Sequence, residues 1–345
     1  MADTVWSLAC DEVQAQNQKK REEKLLGEDR SVLFVGAKQS GKTSLLLKFR
    51  EKNEERPKPS VALEYTFARR PKSFSLEKDV VNLWELAGGT FLSDLTEAII
   101  TPETVTGLSV VLTLDLSQPQ TIWFTMEHFI VELKQQIEKA LAANADVKRS
   151  VDRNNSDRKQ GFANGFDSSS MFPVPLLIIG TKFDLFVNLD SVEKKMIGRA
   201  LRFVAHTYAA HVLFVSEKVP ATLRNFKVFM NNMAFGAPMQ KVVSIDESKP
   251  VAVSAGNDDM MAIGIPSSDS NSLNRGDVHS WEDWKKSFCD FFPQKSQDSG
   301  QSTEDPAKDP KFKEQIIDDL KKQKFAEIES LRRKEAKRDN SQANW

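Results

Sequence analysis

Residues 31–47, SVLFVGAKQSGKTSLLL, limit what this chain can fold into more than any other stretch. The apolar run Val32-Leu33-Phe34-Val35 has the composition of a buried strand. Gly36 to Thr43 then spells G-x-x-x-x-G-K-[ST] in full, and Ser44-Leu45-Leu46-Leu47-Lys48-Phe49 continues as a helix. Strand, glycine loop and helix in this order are the context of a P-loop. Its backbone N–H groups turn inward around phosphate oxygens, and the helix N-terminus adds partial positive charge. The candidate phosphate-binding residues are Gly36, Ser40, Gly41, Lys42 and Thr43. In this reading Lys42 reaches the terminal phosphates and Thr43 holds Mg²⁺.

Downstream, apolar runs alternate with helical periodicity. Strands are expected at 61–67, 79–86, 109–116, 173–180 and 212–215, and helices at 91–100, 119–143, 191–209 and 222–235. Such alternation predicts an α/β fold, a mostly parallel, doubly wound sheet covered on both faces. We place this domain at 28–236. Residues 1–27 read as an N-terminal helix with Val5, Trp6, Ala9 and Val13 on one face, packed on the main domain or contacting a partner. The polar stretch 146–170 shows no periodicity and is expected to be an exposed, mobile insertion.

Residues 237–293 read as an irregular extension ending in an amphipathic helix. That helix opens with an S-x-x-D cap, Ser280 to Asp283, and carries Trp281, Trp284, Phe288, Phe291 and Phe292 on one side. Two fates suit it, docking on the chain's own domain or anchoring a partner. A polar linker at 294–310 and a charged helix and tail at 311–345 follow. The apolar stripe Ile316, Ile317, Leu320, Phe325, Ile328 and Leu331 makes that last helix the better interface candidate.

The base preference is set by Thr181-Lys182-Phe183-Asp184, an [NT]-K-x-D element after an apolar strand. A carboxylate there accepts two N–H donors from guanine and mismatches adenine. Ser216, in Ser216-Glu217-Lys218, stands where a GTPase places its serine-alanine-lysine loop, with Glu217 a departure. Thr181, Lys182, Asp184 and Ser216 are therefore the candidate guanine site of a Ras-like domain. GDP or GTP with Mg²⁺ is the expected cofactor, an empty loop the other outcome.

The catalytic parts are altered. A GTPase carries D-x-x-G followed by a water-orienting Gln. Here the positions read Glu85, Gly88 and Gly89. Gly89 has no side chain to orient water, and Glu85 is one methylene longer than Asp, which misplaces its carboxylate toward Mg²⁺. Thr66 is the candidate switch threonine, or else an ordinary strand residue. No catalytic residue is assigned, and hydrolysis is not expected. Two rivals stand beside this reading. One is an active regulatory GTPase switch, kept open by Lys42, Thr43 and Asp184. The other is a P-loop ATPase or kinase using Asp115, at the end of VVLTLD, as its Mg²⁺ carboxylate.

Lys and Arg total 48 against 49 Asp and Glu, a net charge of −1, which gives no long-range pull toward nucleic acid or acidic membrane. No apolar run approaches the ~20 residues of a membrane helix, so no membrane insertion is expected. Two distant cysteines, Cys10 and Cys289, make no disulfide framework and suit a reducing compartment. The acidic N-terminus is unlike a signal peptide, and neither terminus carries a lipidation motif.

Taken together, GAKQSGKT, ALEYTFARR, WELAGG, LTLDLSQP, FPVPLLIIGTKFD and LRFVAH resemble the light intermediate chains of cytoplasmic dynein. The compact size and the W-x-x-W helix resemble the form in cytoplasmic dynein 2, and the likeness extends over about residues 1–310. The resemblance implies a Ras-like domain used as a structural subunit on the dynein 2 heavy chain, beside the other dynein 2 subunits. It implies indirect contact with intraflagellar transport particles, a role in cilium assembly, and a place in cytoplasm, cytoskeleton, centrosome, basal body and ciliary axoneme. The long adaptor-binding tail of the dynein 1 form has no counterpart here.

Overall fold

The structure is a computed structural model that describes residues 30–51, 60–71, 78–159, 162, 170–246, 249–266, 280–295, 315–316, 319–328 and 330. The N-terminal helix at 1–27 lies outside the described residues, as does nearly all of the 294–310 linker. The chain divides into a unit spanning 1–297 and a second spanning 298–345. In the second, residues 319–328 are helical, with Leu320, Phe325 and Ile328 exposed.

The first unit is built on one sheet, with strand order β2-β3-β1-β4-β5-β6-β8-β7 among the described residues. The strands are β1 (Arg30–Gly36), β2 (Leu63–Pro71), β3 (Lys78–Leu86), β4 (Leu108–Asp115), β5 (Leu176–Thr181), β6 (His211–Phe214), β7 (Val243–Ser244) and β8 (Ala252–Val253). The run β3-β1-β4-β5-β6 is parallel, and β2, β8 and β7 pair antiparallel at the edges. All eight residues of β4 are buried, which is why its sequence is apolar without alternation.

Side chains of β1 alternate between two cores, as the strand period of two requires. Val32 and Phe34 pack with α1 (Lys42–Phe49) and, in chain order, the sixth helix, Pro220–Phe235. Leu33 and Val35 face the larger core under α2 (Pro119–Ala143), α3 (Ala145–Lys159) and the helix Ser191–Thr207. Numbered in order, Phe183–Phe186 is α4, Ser191–Thr207 α5, Pro220–Phe235 α6, Met260–Ile263 α7 and Trp281–Phe291 α8.

Several expectations change. Residues 145–159 form α3, not an irregular insertion, because Val147 and Val151 stand four apart and bury one face. Asn155 Nδ2 ties that helix to the Pro173 carbonyl at 2.9 Å. The helix expected at 91–100 is a 3₁₀ segment, Gly89–Ala98, kinked at Leu92. Pro173 and Pro175 stay outside β5, which starts at Leu176. The stretch after 236 joins the main body, since β8 and β7 extend its sheet.

The amphipathic helix α8 docks on its own domain. Ser280 Oγ caps it, accepting from the Asp283 N–H at 3.2 Å. Trp284 stacks on Phe203 of α5 with centroids 5.1 Å apart, and Trp281 and Phe288 close on Trp123 of α2 at 5.1 and 5.5 Å. Behind it, Gln294 Oε1 accepts from the Trp123 and Phe124 amides at 3.0 and 3.3 Å. The Arg202–Asp258 pair, buried and doubly hydrogen-bonded at 2.8 and 2.6 Å, fixes the intervening segment to α5.

Candidate nucleotide site

The P-loop sits where β1 ends, at the edge where open parallel sheets bind ligands. Gly36 has φ +144°, and a Cβ there would stand 2.2 Å from the Thr113 carbonyl oxygen. Only glycine fits, and the closeness lets β4 brace the loop. Thr113 Oγ1 donates to the Val35 carbonyl at 3.1 Å and pairs with Ser40 Oγ at 2.7 Å. Thr113 thus fixes the loop from behind, a role its place in an apolar strand did not announce.

Lys42 is buried, with 5% exposure, and its ammonium folds back on the loop. It donates to the carbonyls of Gly36 at 3.1 Å and Ala37 at 2.7 Å. Burial pulls its pKa down to about 8, partly countered by the Glu85 carboxylate. Thr43 donates its hydroxyl to Glu85 Oε1 at 2.5 Å. Parallel pairing of β1 with β3, Phe34 opposite Glu85, delivers that carboxylate. The extra methylene of Glu85 therefore brings its carboxylate onto the hydroxyl expected to ligate Mg²⁺. Burial raises the Glu85 pKa, and the Thr43 hydroxyl and Lys42 oppose the rise.

A cavity of about 370 Å³ lies over these groups, walled also by Lys38, Gln39, Ser60 and Gly88. The amide-lined loop, a buried cation and the Thr43–Glu85 oxygen pair fit a polyphosphate tail and a hard cation such as Mg²⁺. Gly88 and Gly89 both adopt left-handed backbone, φ +76° and +66°. A Gln at 89 would be strained in that backbone. Thr66 stands in β2 opposite Leu83 and does not line the cavity, as an ordinary strand residue would.

On the base side, Thr181 Oγ1 donates to the Leu114 carbonyl at 3.1 Å. Its methyl lies against the position a Cβ on Gly41 would occupy, so the two halves of the site touch. Asp184 accepts from Ser216 Oγ and Lys218 Nζ, both at 2.7 Å. Lys218 and then Ser216 hold its carboxyl below the usual range. The structure thus gathers Thr181, Lys182, Asp184 and Ser216 and adds Lys218, which the departure at Glu217 obscured. Lys182, at φ +57°, ion-pairs with Asp115, which also accepts from the Ser117 amide at 2.9 Å. Asp115 is therefore engaged by the base loop while Thr43 turns to Glu85, an arrangement that disfavours the ATPase or kinase reading.

Among the described residues no cluster of His, Cys, Asp and Glu is arranged to hold a metal ion, and no helix is long and apolar enough to cross a membrane. The family described as dynein light intermediate chain matches residues 2–175. Cytoplasmic dynein 2 light intermediate chain 1 of Danio rerio is 40% identical over 97% of this chain and 96% of its own length. The Homo sapiens protein of that name is 36% identical, with 97% of each chain covered. The crystal structure of the dynein light intermediate chain's conserved domain superposes with a TM-score of 0.54 at 14% identity, covering 68% of this chain and 84% of that one, a likeness of fold. With half the chain inside the family's profile and near-complete overlap with these relatives, the protein belongs to the dynein light intermediate chain family.

Proposed function

We propose that this chain is a non-catalytic light intermediate chain of a cytoplasmic dynein 2 motor, binding and stabilising the heavy chain for retrograde intraflagellar transport and cilium assembly. One observation carries the reading: end-to-end likeness to dynein 2 light intermediate chains, at 36–40% identity. The geometry is in keeping with it. A Ras-like site with Thr43 bound to Glu85 and a left-handed Gly89 retains the parts that hold phosphate and lacks the part that orients water.

In this reading a guanine nucleotide is structural. Gly36, Ser40, Gly41, Lys42 and Thr43 would hold its phosphates, Thr43 with Glu85 its Mg²⁺, and Thr181, Lys182, Asp184 and Ser216 its base. The bound group would supply negative charge that satisfies Lys42 and the loop amides. The heavy chain and the other dynein 2 subunits are the direct partners, and transport particles are reached through them. Ciliary axoneme, basal body and cytoplasm are the expected places.

Affinity purification of the tagged full-length chain from ciliated cells tests the assignment. Recovery of a dynein 2 heavy chain supports it, and recovery of none contradicts it. Nucleotide released from the same preparation by denaturation should be GDP or GTP. ADP or ATP at near-stoichiometric level would end the guanine reading. Single-turnover hydrolysis should run at or below the intrinsic Ras level of roughly 10⁻⁴ s⁻¹. A rate far above that, without added partner, would restore the GTPase switch.

A further inference from the structure

A second polar cavity opens at the other edge of the sheet. It lies where β1, β4 and β5 begin, whereas the P-loop stands where β1 ends. The length of β1 separates the two by about 20 Å. The cavity holds about 280 Å³ and takes Arg30 from β1, Asn154, Asn155 and Arg158 from α3, and Asn232 from α6. No carboxylate lines it among the described residues.

Arg158 is the unusual group. Burial pulls its guanidinium down to about 10. Its Nη1 donates to Asn155 Oδ1 at 2.8 Å, and its Nη2 makes a long bond of 3.4 Å to the Ala209 carbonyl. Both acceptors are neutral, and a guanidinium carries five N–H donors. The charge it acts on is that of His211, pushed down to about 3 by burial and by Arg158 itself. That imidazole is neutral at physiological pH and offers no counter-charge. Arg30 lies over Gly236, and its guanidinium makes no hydrogen bond or ion pair with a described residue. Withdrawing a cation from water is unfavourable unless an anion accompanies it. Planar guanidinium donors match the paired oxygens of carboxylate and phosphate, while Asn155 and Asn232 each already give an amide N–H to a carbonyl, of Pro173 and Ala237.

We propose that this cavity is an oxyanion site, in which Arg158 and Arg30 grip a carboxylate or phosphate group with the Asn side chains beside them. The site is separate from the nucleotide site and does not rest on the nucleotide reading. A carboxylate would come from an acidic side chain or chain end of a partner, and a phosphate from a phosphoryl group.

Thermal unfolding of the full chain in sodium phosphate, and separately in sodium acetate, against sodium chloride at equal ionic strength tests it. The native midpoint should rise by roughly 2–4 °C as either anion saturates the site. Arg158→Gln and Arg30→Gln should lose most of that rise. Phosphate held at the P-loop contributes equally to native and variant chains, so their difference reads this cavity alone. A rise in acetate points to the carboxylate source, and one confined to phosphate to the phosphoryl source. In chloride, Arg158→Gln should be no less stable than the native chain, because the charge it removes is half-buried and has no counter-ion among the described residues. Arg30→Gln decides the matter if Arg158→Gln fails to fold. Equal responses in native and variant chains, or none in either anion, would overturn the proposal.

Discussion

The nucleotide edge and the docked extension are held by different kinds of contact. At the P-loop a few polar groups satisfy one another: Lys42 with two loop carbonyls, Thr43 with Glu85, Ser40 with Thr113. In the extension, large aromatic surfaces leave water. Trp284 is 1% exposed and Phe288 wholly buried, both inside the larger core. Hydrogen-bond exchange contributes about 1 kcal/mol per bond, whereas burial of an aromatic side chain contributes several times more. A site of the first kind can lose its chemistry and leave the fold intact. A contact of the second kind cannot be lost without loosening the body of the domain.

Three substitutions sharpen this contrast, from the largest effect to the smallest. Trp284→Ala should destabilise the chain by about 3–5 kcal/mol, through lost burial and a cavity against Phe203. Denaturant unfolding measures it, and a loss under about 1 kcal/mol would mean that α8 is a removable appendage. Gln294→Ala should cost about 1 kcal/mol, since its amide serves two N–H groups near the start of α2. Faster hydrogen exchange at Trp123 and Phe124 is the local readout.

Lys42→Ala should change stability by an amount that depends on pH. The native pKa of Lys42, about 8, lies below its unfolded value of 10.5. Between those values the unfolded chain binds more protons, so the native chain gains stability from Lys42 as pH rises from about 8 toward 10.5. The variant should lack that gain. Phosphate draws the Lys42 pKa back up, so nucleotide affinity should fall by up to about tenfold per pH unit above pH 8. A flat affinity from pH 7 to 10 would place Lys42 outside the phosphate site.

Much of this was legible in the sequence, for physical reasons. Strands β1, β4 and β5 are buried on both faces, so their unbroken apolar runs announce them. The P-loop motif singles out Lys42 and Thr43, and both line the cavity at the end of β1. Helix α3 was hidden because Val147 and Val151 suffice to seat it, while its Asn, Ser and Asp content imitates a loop. Strands β7 and β8 have two residues each, too few to show a period. The bond from Thr43 to Glu85 joins residues 42 positions apart and depends on the register of β1 with β3, which no local pattern encodes. The cavity at Arg30 and Arg158 likewise draws on segments far apart in the chain, and Arg158 belonged to the stretch read as an exposed insertion.

The central claim is that the chain works through its surfaces rather than through nucleotide turnover. Rescue of knockout ciliated cells with Lys42→Ala tests it most directly, at matched protein level, scoring heavy-chain co-purification, cilium length and retrograde particle velocity. The variant removes the buried cation of the P-loop cavity and leaves the docked extension untouched. Full rescue on all three scores is the expected result. Failure to restore cilium length or velocity, despite normal abundance and normal heavy-chain binding, would contradict the scaffold account and make nucleotide state the working variable.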